Sequence, residues 1–137
     1  MSNYSIFETE IIVRPSDLDI NQHVHYSKYL DYLLLARYDQ MKRCYKVSME
    51  DFVAFGYSWV ASTVNINYKR EVKMQDVVIA KTQVDSYAGA QIKVNFWFVK
   101  KETNKVAAEG WAVYTLISLK NGRPTRIPDD LIQKYLI

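Results

Sequence analysis

The order of apolar and polar positions divides the chain into one strand, one long helix and a run of further strands. From Tyr4 to Arg14, Phe7, Thr9, Ile11 and Val13 fall on one face, and Glu8, Glu10 and Arg14 on the other. That period of two predicts a strand, and Pro15 ends it. Ser16 to Tyr26 has neither a helical nor a strand period. From about Tyr26 to Lys46 the spacing becomes i, i+3, i+4 through Tyr29, Leu30, Leu33, Leu34, Ala36, Met41 and Cys44. Tyr32, Leu35 and Tyr38 add apolar surface on other sides. A helix apolar most of the way round is expected to be buried. Ser48, with Glu50 and Asp51 behind it, predicts the cap of a short second helix.

The second half reads as strand. Val60, Ser62, Val64, Ile66 and Tyr68 alternate with polar or small residues. Val77 to Val84 and Ile92 to Phe98 do the same, and Val106 to Ile117 reads as another long strand with Gly110 expected at a bulge. Gly89, the Glu102–Lys105 run and Asn121–Gly122 mark turns, and Pro128, Asp129 and Asp130 open a short C-terminal helix. Parallel α/β sheets need crossover helices, which this half lacks. The class is therefore α+β, an antiparallel sheet of about five strands curled around one long buried helix.

Composition narrows the function. The 137 residues read as a single domain over 1–137, with a core that needs no staple. Eighteen Lys and Arg against fifteen Asp and Glu leave a net charge of only +3, which gives no case for nucleic acid. One cysteine, Cys44, excludes a disulfide framework and a multi-cysteine zinc site. Four glycines, none in a phosphate-binding pattern, argue against P-loop chemistry. No basic and apolar leader opens the chain and no apolar run is long enough to span a bilayer, so a cytoplasmic protein without a membrane partner is expected.

The chemistry gathers in the aperiodic stretch. Asp19, Asn21 and His23 alternate just ahead of the long helix, whose N-terminus offers unpaired N–H groups and the positive end of a dipole. N–H groups that polarise a carbonyl, beside a carboxylate or imidazole that activates water, make an acyl-transfer site.

The run Asp17-Leu18-Asp19-Ile20-Asn21-Gln22-His23-Val24 resembles the catalytic segment of plant acyl-ACP thioesterases, and Tyr68-Lys69-Arg70-Glu71 resembles their Tyr-Arg-Arg-Glu. The Asp-x-Asp ahead of the helix is also similar to that of the 4-hydroxybenzoyl-CoA thioesterase type. The resemblance implies a hotdog fold and a catalytic set falling on Asp19, Asn21, His23 and Glu71. It implies an acyl-CoA or acyl carrier protein thioester as substrate and no cofactor. Backbone N–H groups near Val24, His25, Tyr26 and Ser27 would hold the carbonyl oxygen. Lys69, Arg70 and Lys73 would meet the phosphates of CoA or phosphopantetheine. The sequence departs from the plant pattern after His23-Val24, where His25 and Tyr26 replace two Asn. Plant enzymes carry two hotdog repeats and this chain one, so a homodimer or homotetramer is implied.

Each residue also has a plainer role. Asp17 and Asp19 are suited to capping backbone N–H groups, Asn21 to a turn, His23 to a structural hydrogen bond, and Glu71 to an exposed ion pair. His25 has no counterpart in the resembled motif and reads as a wall or surface residue. A hydratase or dehydratase acting on acyl thioesters, and a non-catalytic acyl-CoA-binding module, fit the same residues.

Overall fold

The computed structural model describes residues 3–137. Five strands and three helices follow in the order β1 (Ile6–Ile12), α1 (Lys28–Arg43), α2 (Met49–Ala54), β2 (Tyr57–Tyr68), β3 (Val77–Ala88), β4 (Gln91–Lys100), β5 (Lys105–Ser118) and α3 (Asp129–Ile132), with a 3-10 turn at Pro15–Asp17. The strands form one antiparallel sheet in the order β1-β3-β4-β5-β2. β1 and β2 are its two edges.

Strand alternation decides which face is filled. Val78, Ala80, Thr82 and Val84 of β3, with Ile92, Val94, Phe96 and Phe98 of β4, are buried on the inner face, and the residues between them are half-exposed on the outer one. α1 lies across the inner face and buries Tyr29, Tyr32, Leu33, Ala36, Arg37, Gln40 and Met41, a stripe at helical spacing. Two packed clusters result. One joins the first half of α1 to Phe96, Phe98 and Ala108. The other joins Met41, Tyr45 and Phe52 to Val84, Ile92, Leu116 and Tyr135. Ser48 accepts from the Asp51 N–H at 3.0 Å, and Asp51 accepts from the Ser48 N–H at 2.8 Å, so α2 begins in a reciprocal capping box.

Two expectations are corrected. The long helix is not buried all round: Leu34 is 58% exposed, and Leu30, Leu35 and Tyr38 also face outward. A single sheet covers one side of a helix, and period alone does not tell which of several apolar stripes meets it. Gly110 is not a bulge. It pairs in register with Ile66 and Phe96, and the register shifts fall elsewhere, at Ala61/Thr63, Val84/Ser86 and Phe98/Val99. Its requirement is space, since a Cβ there would sit 1.8 Å from the Asn65 carbonyl oxygen. Glycine lets β5 approach the edge strand β2.

Candidate active site

The stretch between β1 and α1 folds into a short ribbon. Leu18 bridges to Val24, the Asp19 N–H donates to the His23 carbonyl at 2.8 Å, and the Gln22 N–H donates to the Asp19 carbonyl at 3.0 Å. Gln22 takes the left-handed conformation, φ 65°, at the apex. The ribbon then joins the segment after β2: the Val24 N–H donates to the Val72 carbonyl at 2.7 Å, and His23 bridges to Lys73. Two segments some fifty residues apart in sequence are thereby laid side by side at the N-terminus of α1.

Between them lies an open cavity of about 360 Å³. Asp19, His23, Val24 and Tyr26 line it from the ribbon, Tyr29 from α1, and Tyr68, Lys69, Arg70 and Glu71 from the end of β2.

Asp19 takes the capping role open to it. Its Oδ1 accepts from the N–H groups of Asn21 at 2.9 Å and His23 at 3.2 Å. Its Oδ2 accepts nothing among the described residues, so one oxygen holds the ribbon and the other is spare on a cavity wall. His23 Nε2 stands 3.6 Å from Glu71 Oε2, and the other Glu71 oxygen stands 3.7 Å from Lys73 Nζ. Glu71 is thus an exposed ion-pair partner that also touches the His23 ring.

The backbone supplies the remaining group. From Val24 to Lys28, the N–H groups of Val24, His25, Ser27 and Lys28 donate to Val72, Asp17, the His25 ring and the His25 carbonyl. Among the described residues, the Tyr26 N–H alone in this stretch has no acceptor, and it lies where the α1 dipole is positive.

Four predicted residues, Asn21, His25, Ser27 and Lys73, lie off the cavity lining. Asn21 is exposed at the ribbon tip and contributes its backbone N–H to Asp19. The His25 ring stacks on Tyr26, with centroids 4.4 Å apart, and its Nδ1 meets Ser27 Oγ at 2.8 Å. Lys73 turns to Glu71. Lys69 and Arg70 line the rim, where Lys69 Nζ stands 3.4 Å from Glu109 and Arg70 donates to the Val106 carbonyl at 2.7 Å. Sequence reasoning missed the aromatic wall of Tyr29 and Tyr68, whose rings meet at 5.3 Å. Burial, with Tyr68 and Asp76 nearby, pushes the Tyr29 phenol up to about 12, so it stays protonated. Its place in the first turn of α1 was the available signal.

Among the described residues, no group of three or more His, Cys, Asp or Glu side chains is placed to hold a metal ion. None of the helices is long and apolar enough to cross a membrane.

The family model for the thioesterase-like superfamily matches residues 13–135, which takes in the ribbon, the whole sheet beyond β1 and the C-terminal helix. The chain belongs to the thioesterase-like superfamily. Within it, the chain is 26% identical over 127 residues to the long-chain acyl-CoA thioesterase FadM of Escherichia coli (strain K12), an alignment covering 93% of this chain and 95% of that one. A Lactobacillus plantarum structure assigned as an oleoyl thioesterase superposes with a TM-score of 0.90 at 19% identity, over 98% of this chain and 52% of the other. This chain thus spans about half the length of that one. The DHNA-CoA thioesterase of Staphylococcus aureus superposes with a TM-score of 0.84 at 23% identity, over 96% of this chain and 88% of the other. These superpositions show that the thioesterase-like chain has the hotdog fold expected from its ribbon motif.

Proposed function

We propose that this superfamily member hydrolyses acyl-CoA thioesters, with long-chain acyl groups as the first class to examine. The reaction class follows from the family, and FadM, which acts on long-chain acyl-CoA, supports the substrate class. The observation that carries the reading is that one cavity is lined by both Asp19, whose Oδ2 accepts no hydrogen bond among the described residues, and Tyr26, just ahead of α1, whose N–H has no acceptor among them. The Tyr26 N–H donates to the thioester carbonyl oxygen and stabilises the charge that grows there. Asp19 supplies the electron pair, either directly to the carbonyl carbon or by taking a proton from an attacking water. The C–S bond breaks and the leaving thiolate takes a proton; on the direct route water then hydrolyses the mixed anhydride left on Asp19, so by either route thioester plus water gives a free acid and a thiol. His23, oriented by Glu71, hydrogen-bonds water or the leaving sulfur. Lys69 and Arg70 on the rim meet CoA phosphates as cations.

The working unit in this reading is a homodimer. One edge of β2 is unpaired among the described residues, and Val60, Val64 and Tyr68 on that strand, like Leu30, Leu34 and Leu35 of α1, are exposed. An open edge next to apolar surface calls for a partner, and a second copy is the simplest one. The Lactobacillus plantarum chain, about twice as long, has room for a second unit of this size.

The test is release of free thiol from short, long and aromatic acyl-CoAs and from acyl carrier protein thioesters by the purified protein. Turnover of long-chain acyl-CoA is expected. Binding of acyl-CoA without thiol release would make the protein a binding module, and water addition to enoyl-CoA without thiol release would make it a hydratase. Light scattering at micromolar concentration is expected to give twice the 16.1 kDa chain mass.

A further inference from the structure

Asp17 lies two residues before Asp19 and takes no part in the cavity lining. It is nonetheless 0% exposed, and its carboxylate is surrounded by donors: the Tyr32 hydroxyl at 2.6 Å, the Arg14 N–H at 3.0 Å and the Arg14 guanidinium at 3.4 Å. Tyr32, on the second turn of α1, is also 0% exposed. Ionised side chains are rarely buried to this degree unless something requires them there. Burial raises the Asp17 carboxyl, but the bonds from Tyr32 and Arg14 outweigh it and hold the group below its ordinary range. Burial and the bond to Asp17 push the Tyr32 phenol well up, so this donor keeps its proton.

The backbone of Asp17 connects the pair to the reacting groups. Its carbonyl accepts the His25 N–H at 2.8 Å. The next N–H along the chain is that of Tyr26, and Asp19 is two residues from Asp17 on the other side. The Tyr32–Asp17 bond thus ties the body of α1 to the point where the two arms of the ribbon meet.

We propose that Asp17 and Tyr32 are positioning residues: they fix the Asp19 carboxylate and the Tyr26 N–H relative to each other, and so set kcat without touching substrate. This inference rests on the thioesterase reading of the cavity. A misplacement of about 1 Å at a reacting group is enough to lower turnover by up to about a hundredfold. Ground-state binding of the acyl-CoA is held by the aromatic wall and the cationic rim; the Tyr32 ring meets that wall edge-on at Tyr29, with centroids 6.0 Å apart, and Tyr32→Phe keeps this ring contact while removing the hydroxyl.

The test compares Tyr32→Phe, which removes one hydroxyl, and Asp17→Asn with wild type and with Ile92→Val, a core change in the other cluster. Each is assayed for thiol release from a long-chain acyl-CoA, and thermal midpoints are recorded. The expected result for Tyr32→Phe is a kcat lowered about tenfold or more with KM within about twofold, and faster amide hydrogen exchange at His25, whose N–H donates to the Asp17 carbonyl. Ile92→Val is expected to keep kcat even where its midpoint falls as far. A Tyr32→Phe kcat within twofold of wild type, or an equal loss in Ile92→Val, would overturn the positioning role while leaving the thioesterase reading intact. Absence of thiol release by wild type would overturn both. Should Asp17→Asn not fold, Tyr32→Phe alone decides.

Discussion

The two ends of α1 each bury a charge, and they do so by opposite means. At the first turns, Asp17 is fully buried and meets three hydrogen-bond donors within 3.4 Å. Further along, Arg37 is 3% exposed and enters no ion pair among the described residues, and its Nη1 has no hydrogen-bond partner there. Its guanidinium lies instead over the rings of Tyr114 at 5.3 Å and Tyr135 at 5.9 Å. Trp59 Nε1 and Tyr135 Oη, in the same cluster, likewise have no hydrogen-bond partner among the described residues, though their rings pack edge-on at 6.4 Å. A directional network fixes atoms to within tenths of an ångström, whereas ring faces neutralise a cation with little directional demand. The first arrangement suits a loop that must hold reacting groups in place, and the second suits packing. The polar end of the helix is therefore expected to carry the rate, and the aromatic end the stability.

The largest break in that comparison should come at the aromatic end. Leu116 is fully buried there. Leu116→Ala is expected to lower unfolding free energy by about 2–5 kcal/mol, with the rate per folded molecule unchanged. Urea titration combined with an assay normalised to the folded fraction checks both halves.

Glu71→Gln acts at the other end. Exposed ion pairs contribute about 0–1 kcal/mol, so the midpoint should barely move. If Glu71 orients His23 across the 3.6 Å contact, turnover falls by roughly tenfold and the pH–rate profile changes shape. An unchanged rate and profile would reduce Glu71 to a surface partner of Lys73 and leave Asp19 with the Tyr26 N–H.

Asp17 also gives the polar end an acid-sensitive component. Its folded pKa is lowered, so the stability it contributes is fully present above the unfolded value of about 3.9 and is lost as pH falls through the folded value. Urea midpoints of wild type should drop between pH 5 and pH 3 more steeply than those of Asp17→Asn. Parallel acid limbs would show that the carboxylate gains nothing from its three donors.

The smallest effect is expected at Arg37. Replacing a buried, incompletely bonded cation with an apolar side chain of similar volume is often neutral or stabilising. Arg37→Met should shift stability by no more than about 1 kcal/mol in either direction. A loss of several kcal/mol would show that the ring faces of Tyr114 and Tyr135 satisfy the charge better than hydrogen-bond geometry indicates.

Much of this was legible in the sequence because strand and capping signals are local. β3 and β4 alternate over most of their length, Ser48 and Asp51 spell a cap three residues apart, and the Asp19–His23 ribbon carries its motif within five residues. What stayed hidden depends on distance. Tyr32 and Asp17 are fifteen residues apart, and nothing local marks the tyrosine as a donor to that carboxylate. Gly110 looked like a bulge because its neighbour across the sheet, Asn65, is forty-five positions away. The outward leucines of α1 were read as buried because a helix of several apolar stripes does not reveal which stripe a single sheet covers. In the same way Asp19, His23 and Glu71, read together from the motif, line one cavity, while Tyr29 and Tyr68, which complete its wall, looked like ordinary core and strand residues.

The most direct test of the division between the two ends is the rate of thiol release from a long-chain acyl-CoA by Asp19→Asn, measured beside wild type at equal folded concentration. The account predicts a fall of about a hundredfold or more, with the thermal midpoint and acyl-CoA affinity retained, because the substitution keeps an oxygen for the ribbon N–H groups and removes the reacting carboxylate. A variant within a few-fold of wild type would contradict it and take the chemistry away from this cavity.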